Sequence, residues 1–374
     1  MRIKSHKPGW ILHRFEDFVE NVREQVMPTP EDSKDYVGLE HLDSGSLHIR
    51  RWGTEIHLKG TKFRMKKGDL LFARRNAYLR RIAIAPHDGL FSAHGMVFRP
   101  KTDVVSPDFL PFFLSSDMFL DRAIKISVGS LSPTINWGTL RHEQFSLPSL
   151  SEQKRFSDLL WVVEEAQEKY SDLTNKYETW VEAYSTDILC VNGIGFSKKA
   201  TSRTANINKK WQLKTVEEIA PLQRGFDLPS SRLNKGKWPV AYSNGICNFH
   251  SEYKVKGPGV FTGRSGTIGN IFYVEGNYWP HNTTLWVTDF KGNYPRFIYY
   301  LYKKLRFDKK QEGTGVPTLN RNYIHKIRAL IPTHDEQVKI AKKLDSLHEI
   351  YQETKNLTES ISRIKKKIIN QIFG

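Results

Sequence analysis

Two stretches of the chain space apolar residues in steps of three and four. The first runs through Phe156, Leu159, Val163, Ala166, Tyr170, Leu173, Tyr177, Trp180 and Tyr184, with Glu, Lys and Asp between them. The second runs through Ile340, Leu344, Leu347 and Tyr351, slips in register, and continues through Leu357, Ile361, Ile364 and Ile368. This spacing predicts two long helices, each with an apolar seam. A core helix of a globular domain rarely runs so far. The two are therefore expected to pair with each other as an antiparallel coiled coil within one chain. At ~1.5 Å per residue, about 34 residues make a rod of roughly 50 Å.

Ahead of each long helix the period changes. Short β-branched and aromatic runs punctuated by Gly, Pro, Asp and Asn predict strands at Tyr36-Val-Gly-Leu, Asp69-Leu-Leu-Phe-Ala, Ile82-Ala-Ile-Ala and Met96-Val-Phe. In the second half the same signal occurs at Val260-Phe, Asn270-Ile-Phe-Tyr-Val and Thr284-Leu-Trp-Val. A helix carrying Phe109, Phe112, Phe113 and Phe119 is expected after Asp108, with a counterpart starting at Pro295. Each half is thus an α+β globule followed by a long helix.

The halves are copies. Gly129, Pro133, Thr134, Asn136, Pro148, Glu152, Gln153 and Leu160 recur 184 residues later as Gly313, Pro317, Thr318, Asn320, Pro332, Glu336, Gln337 and Leu344. The domain starts, Trp10-Ile-Leu12 and Trp211-Gln-Leu213, are offset by 201, so the first copy is 17 residues longer. A repeat of this length means duplicated domains and not a solenoid. The expected division is a recognition domain over 1–148, a spacer helix over 149–188 and a linker over 189–209. A second recognition domain over 210–332 and a second spacer helix over 333–374 complete it. The linker is small, polar and basic. Ser149-x-x-Glu152 and Thr333-x-x-Glu336 read as capping boxes, so these glutamates are assigned to helix starts and not to catalysis.

Charge narrows the function. A net charge of +17 on 374 residues favours an anionic partner, nucleic acid ahead of a membrane surface. No apolar run reaches the ~18 residues of a spanning helix, and the N-terminus lacks the apolar core of a signal peptide. Two cysteines, Cys190 and Cys247, fit a reducing cytoplasm and exclude a cysteine-based zinc cluster.

Candidate contacts to double-stranded DNA follow from the loops. Arg74, Arg75, Asn76, Tyr78, Arg80 and Arg81 sit together just after a predicted strand. Arginine pairs with guanine edges or clamps phosphates, and asparagine suits adenine. At the matching place in the second half lie Arg264, Ser265 and Thr267, with glycines that allow close backbone approach. Phe91-Ser-Ala-His94 corresponds to the stretch that holds His281 and Asn282, which adds His94 and Asn282 to the set. A solvated basic turn is the alternative for both loops, and a structural histidine the alternative for His94. Nothing at ligand spacing completes a metal site around His87 and His94, so no metal is expected. The Arg363-to-Lys367 run reads as a solvated helix face, with docking onto an acidic partner or a DNA backbone as the alternative. There is no phosphate-binding G-x-x-x-x-G-K-[ST] loop, no G-x-G-x-x-G turn, no G-x-S-x-G elbow and no Asn-Pro-Pro-Tyr or Asp-Pro-Pro-Tyr. The expectation is a reader without a catalytic site. A stand-alone DNA-modifying enzyme and a nucleic-acid-binding coiled-coil adaptor are the other readings.

Leu147-Pro-Ser-Leu-Ser-Glu-Gln-Lys154 and Ile331-Pro-Thr-His-Asp-Glu-Gln-Val338, each before a long helix, resemble the specificity subunit of type I restriction-modification systems. So do Tyr36-Val-Gly-Leu-Glu-His-Leu-Asp and Lys67-Gly-Asp-Leu-Leu-Phe-Ala-Arg-Arg, and the resemblance spans nearly the whole chain. Asp335 and Val338 match loosely, and the second loop lacks the arginine-rich run of the first. The resemblance implies two target recognition domains, each reading half of a split DNA site, held apart by the helices. It implies docking of two methyltransferase subunits that carry S-adenosylmethionine, with restriction and translocase subunits as possible further partners. No cofactor is expected on this chain itself. Phe156, Leu159, Val163, Tyr170, Leu173, Tyr177, Trp180, Leu344, Leu347, Ile361, Ile364 and Ile368 are the expected spacer and docking residues.

Overall fold

The computed structural model describes residues 7–55, 57–189, 211–307 and 318–374. Residues 190–209 of the expected linker, with Cys190, lie outside the described residues, as do Gly313 and Pro317. The chain forms two compact units, residues 1–171 with 356–374, and residues 172–355. Both long helices, Leu150–Ile188 and His334–Phe373, therefore contribute one segment to each unit. Antiparallel pairing follows: the N-terminal part of the first helix and the C-terminal part of the second belong to unit 1, and the other two parts to unit 2.

In unit 1 the strands Val19–Val22, Met96–Pro100, Leu70–Phe72 and Ile82–Ile84 form an antiparallel sheet in that spatial order. A second sheet orders Gln25–Val26, Lys62–Met65, Gly89–Phe91 and Tyr36–Val37, the last pair parallel. Its main core is a phenylalanine cluster: Phe15, Phe18, Phe98, Phe113, Phe119 and Phe145 are all buried, and Phe373 from the end of the second long helix stands 5.2 Å from Phe109. The helix expected after Asp108 is two helices, Leu110–Ser115 and Asp117–Lys125. Ser116 causes the break. Its backbone is extended, its hydroxyl donates to the Phe113 carbonyl, and it accepts the Phe119 N–H as an N-cap.

In unit 2, Leu222–Arg224, Thr284–Val287, Gly259–Gly263 and Ile271–Val274 form the antiparallel sheet. Gly245–His250, Trp238–Tyr242 and Trp279–Pro280 form a smaller one. The helix Pro295–Leu305 starts at the expected proline, whose missing N–H costs nothing in a first turn.

The repeated joint is built identically in both units. Ile11–Arg14 pairs with Gln144–Leu147, and Gln212–Thr215 pairs with Arg328–Ile331, both antiparallel. Glu152 accepts the Ser149 N–H at 3.2 Å and Glu336 accepts the Thr333 N–H at 3.0 Å, so both act within their caps. The glutamine beside each is buried. Gln153 donates to the Val104 and Pro148 carbonyls and accepts from the Ser106 N–H. Gln337 donates to the Pro332 carbonyl and to Asn293, and accepts from the Tyr294 N–H. One carboxamide thus ties each long-helix start to the loop leading into Leu110–Ser115 or Pro295–Leu305.

The seam of the first long helix needs correction. Leu159, Leu173 and Trp180 are each about half exposed, at 50, 49 and 48%, and Tyr170 is exposed too. Phe156, Val163 and Tyr177 are half-buried. The buried line runs one residue later, through Gln153, Ser157, Leu160, Glu164, Thr174, Val181 and Ser185. Its heptad spacing is the same, so position alone could not separate the two faces. Small and paired polar groups fill it. On the second helix Leu344 and Leu347 are buried as expected, whereas Ile364 is exposed, Ile361 and Ile368 are half-buried, and Lys365 takes the inner position. The Arg363-to-Lys367 run is therefore not a purely solvated face.

Candidate nucleic-acid interface

In unit 1, the strand Leu70–Phe72 delivers the chain into a loop whose shape is set by left-handed residues. Asn76 and Arg80 both have φ near +50°, which asparagine tolerates better than most side chains. The Pro-Thr-x-Asn segment of the joint lies against this loop. Ile135 N–H donates to the Arg74 carbonyl at 3.0 Å, and Arg75 forms a β-bridge with Thr134. Arg75 Nε donates to Ser132 Oγ at 2.9 Å, and that hydroxyl donates to Asn76 Oδ1 at 2.8 Å.

Unit 2 repeats this contact. Leu319 N–H donates to the Arg264 carbonyl at 2.8 Å, and Ser265 bridges Thr318. The arginine just past each strand, Arg74 or Arg264, is thus held in the same way by the copied segment. Sequence offsets hid this relation, because the loops between strand and joint differ in length. Gly263 is required here: a Cβ would stand 1.8 Å from the Thr267 carbonyl oxygen.

The structure gathers Arg74, Arg75, Asn76 and His94 into one region. His94 is exposed, and partial burial together with the Arg75, Arg74 and Lys62 charges pushes its pKa down, keeping the ring neutral. Tyr78 is exposed on the short turn Ala77–Leu79. Arg80 and Arg81 do not join this group. The Arg80 guanidinium is paired with Asp117 at 2.6 Å and with Asp121, and Arg81 donates to the Leu39 carbonyl at 2.8 Å. They brace the loop from within.

In unit 2, Arg264 Nε donates to the Asn282 carbonyl at 3.3 Å, so the expected pair is contiguous. Ser265 is half-buried and Thr267 is exposed. Sequence reasoning missed three neighbours. The Tyr242 ring lies tilted by 40° against His281 with ring centres 4.6 Å apart, Asn248 donates to the Tyr242 hydroxyl, and Asp227 accepts from both Asn282 and Arg224. Burial holds His281 below its ordinary pKa. Asp227 offsets part of the positive charge, so this surface is less cationic than its counterpart.

One cluster resembles a metal site. His48, Glu164 and Glu168 place ligand atoms within 4.8 Å of one another. Lys365 is ion-paired with Glu164, and Arg50 grips Glu168 through contacts of 2.5 and 2.7 Å. These cations occupy the carboxylates that a divalent ion would need, and the cluster is an ionic network. No helix among the described residues is long and apolar enough to cross a membrane.

Comparison with known proteins agrees with this architecture. The profile of the type I restriction modification DNA specificity domain matches residues 30–175 and again 208–363. A protein of Methanocaldococcus jannaschii named as the MjaX type I restriction enzyme specificity subunit is 23% identical over 412 residues, covering 97% of this chain and 92% of that one. The crystal structure of a type I restriction-modification S subunit from M. genitalium superimposes with a TM-score of 0.65 at 15% identity, over 100% of this chain and 98% of the other. A chain from a structure describing assembly and conformational transition of the type I system gives 0.58 at 18% identity, covering 99% of each.

Proposed function

The chain belongs to the family of type I restriction-modification DNA specificity subunits, and from that premise we propose that each of its two units reads one half of a split DNA site. It is a DNA-recognition subunit with two recognition domains, not the methyltransferase itself. The observation that carries the split-site reading is the duplicated clamp on Arg74 and Arg264, which presents a basic loop in the same way in each unit.

The paired helices act as the spacer. DNA rises ~3.4 Å per base pair, and helices of 39 and 40 residues at ~1.5 Å per residue span roughly 60 Å, which allows at most about 17 base pairs between half-site centres. Facing grooves recur every ~10 base pairs, which favours a spacing near one turn. The intervening bases are left unread.

The outward apolar positions of the helices are the docking faces for two methyltransferase subunits. In unit 1 these include Leu159 and Val162, and in unit 2 Leu173 and Trp180. Exposed apolar stripes of this kind mark protein-binding surfaces. S-adenosylmethionine sits on those partners and base flipping is theirs. Sequencing modified bases in the host with and without this gene tests the reading. A two-part motif that vanishes with the gene is expected; an uninterrupted motif, or none that depends on the gene, overturns it.

A further inference from the structure

Unit 1 carries a cleft of about 330 Å³ lined by Asn21, Arg23, Gln25, Arg74, Asn136 and Trp137, with Phe63, Met96 and two glycines at its walls. Two guanidinium groups and three carboxamides meet there, and no carboxylate lines it. The side chains of Asn21, Arg23, Gln25 and Asn136 make no hydrogen bond or ion pair among the described residues. Arg74 Nε is buried without a hydrogen-bond partner. Arg23, Gln25 and Asn136 are exposed and Asn21 is half-buried, so these groups stay open to a ligand, while the buried Arg74 Nε costs free energy until a partner meets it.

The copied joint supplies a control. Asn320 in unit 2 spends its carboxamide on its own helix, accepting the Asn322 N–H at 3.0 Å. Asn320 caps the helix Arg321–His325, and Asn136, which stands at the same N-cap position of the helix Trp137–Leu140, makes no such bond. Its carboxamide is left available at the cleft. The two copies of one motif residue have therefore diverged, one capping a helix and the other lining the cleft.

Resting on the split-site reading, we infer that Asn21, Arg23, Gln25 and Asn136 join Arg74 as a base-reading cleft for the first half-site. The ligand class is the base edges of duplex DNA. A carboxamide pairs in bidentate fashion with adenine and a guanidinium with guanine. A phosphate oxygen accepts from guanidinium and carboxamide N–H alike but carries no sequence information, so loss of preference at a single position separates base reading from a phosphate contact.

The test selects binding sites from a random duplex library. It uses the full chain together with the subunits that co-purify with it from its host, and compares wild type with R23A, R23K, N136A and N320A. Wild type should select a two-part motif. R23A and N136A should each lose preference at one position of one half only, with discrimination falling about tenfold or more there. R23K should fail to rescue, since an ammonium cannot pair bidentately. N320A should keep the motif and lower the melting temperature, whereas N136A should leave melting unchanged. An unchanged motif in R23A and N136A overturns the inference while the split-site reading stands. Uniformly weaker binding with a shallower salt dependence also overturns it, by making the cleft a phosphate contact. If wild type selects no two-part motif, the split-site reading itself fails.

Discussion

Glu164 on the first long helix and Lys365 on the second form an ion pair in which the side chains are 1 and 7% exposed. His48 approaches the same carboxylate at 3.3 Å. The recognition domain of unit 1 and both its helical segments thus meet at one buried charge. Burial pushes the Glu164 carboxyl up, but the His48 contact and the Lys365 charge outweigh it and hold the group below its ordinary range.

Removing one partner should cost far more than removing both. Lys365→Met leaves a buried carboxylate facing only His48, and a loss of about 3–5 kcal/mol is expected. The double change Lys365→Met with Glu164→Leu should recover most of it. Denaturant unfolding of the full chain measures both, and equal losses would show that the pair is not coupled.

The same site predicts a pH effect. Contact with Glu164 raises the His48 pKa above 6.5 despite burial. A raised folded-state value means that the stabilisation is fully present below the unfolded pKa and is lost as pH rises through the raised one. Glu164 has the opposite sign: its contribution is present above 4.5 and is lost as pH falls through its depressed value. Melting temperature followed from pH 5 to 9 should decline for wild type, in the range where the raised His48 titrates, and His48→Gln should flatten that decline.

Within the joint, the glutamine should matter more than the cap. Gln153→Ala strands the Ser106 N–H and two carbonyls, a cost of about 1–3 kcal/mol per buried group. Ser149→Ala removes a cap worth about 1 kcal/mol. Hydrogen exchange should show the Gln153 loss in unit 1, and the matching Gln337→Ala loss in unit 2.

The arginines of the first loop should separate into two kinds. Arg74→Ala and Arg264→Ala should each relax one half of the selected DNA motif. Arg80→Ala should leave the motif alone and lower stability, because its guanidinium serves Asp117 and Asp121. Site selection and melting, measured on the same three proteins, distinguish these outcomes.

On the helices, the outward and inward faces should respond differently. Leu173→Gln with Trp180→Gln should fold as wild type and lose co-purifying methyltransferase subunits. Leu160→Gln buries an unpaired amide in the unit 1 core and should unfold that unit. Pull-down yield and circular dichroism together read the difference.

Local chemistry determined a large part of this protein from sequence alone. The duplication, the strands around Leu70 and Val260, the helix at Pro295, both capping boxes and the two long helices depend on neighbouring residues and turn chemistry. Tertiary structure decided the rest. Which helix face turns inward depended on Glu164 meeting Lys365 across two segments far apart in sequence, so a polar line won over the more apolar one beside it. Which arginines stay available also depended on distant partners, since Asp117 and Asp121 claim Arg80 while Arg74 Nε finds none among the described residues. A side chain's period places it on a face of a helix, but only the partner across the fold determines whether that face is core or surface.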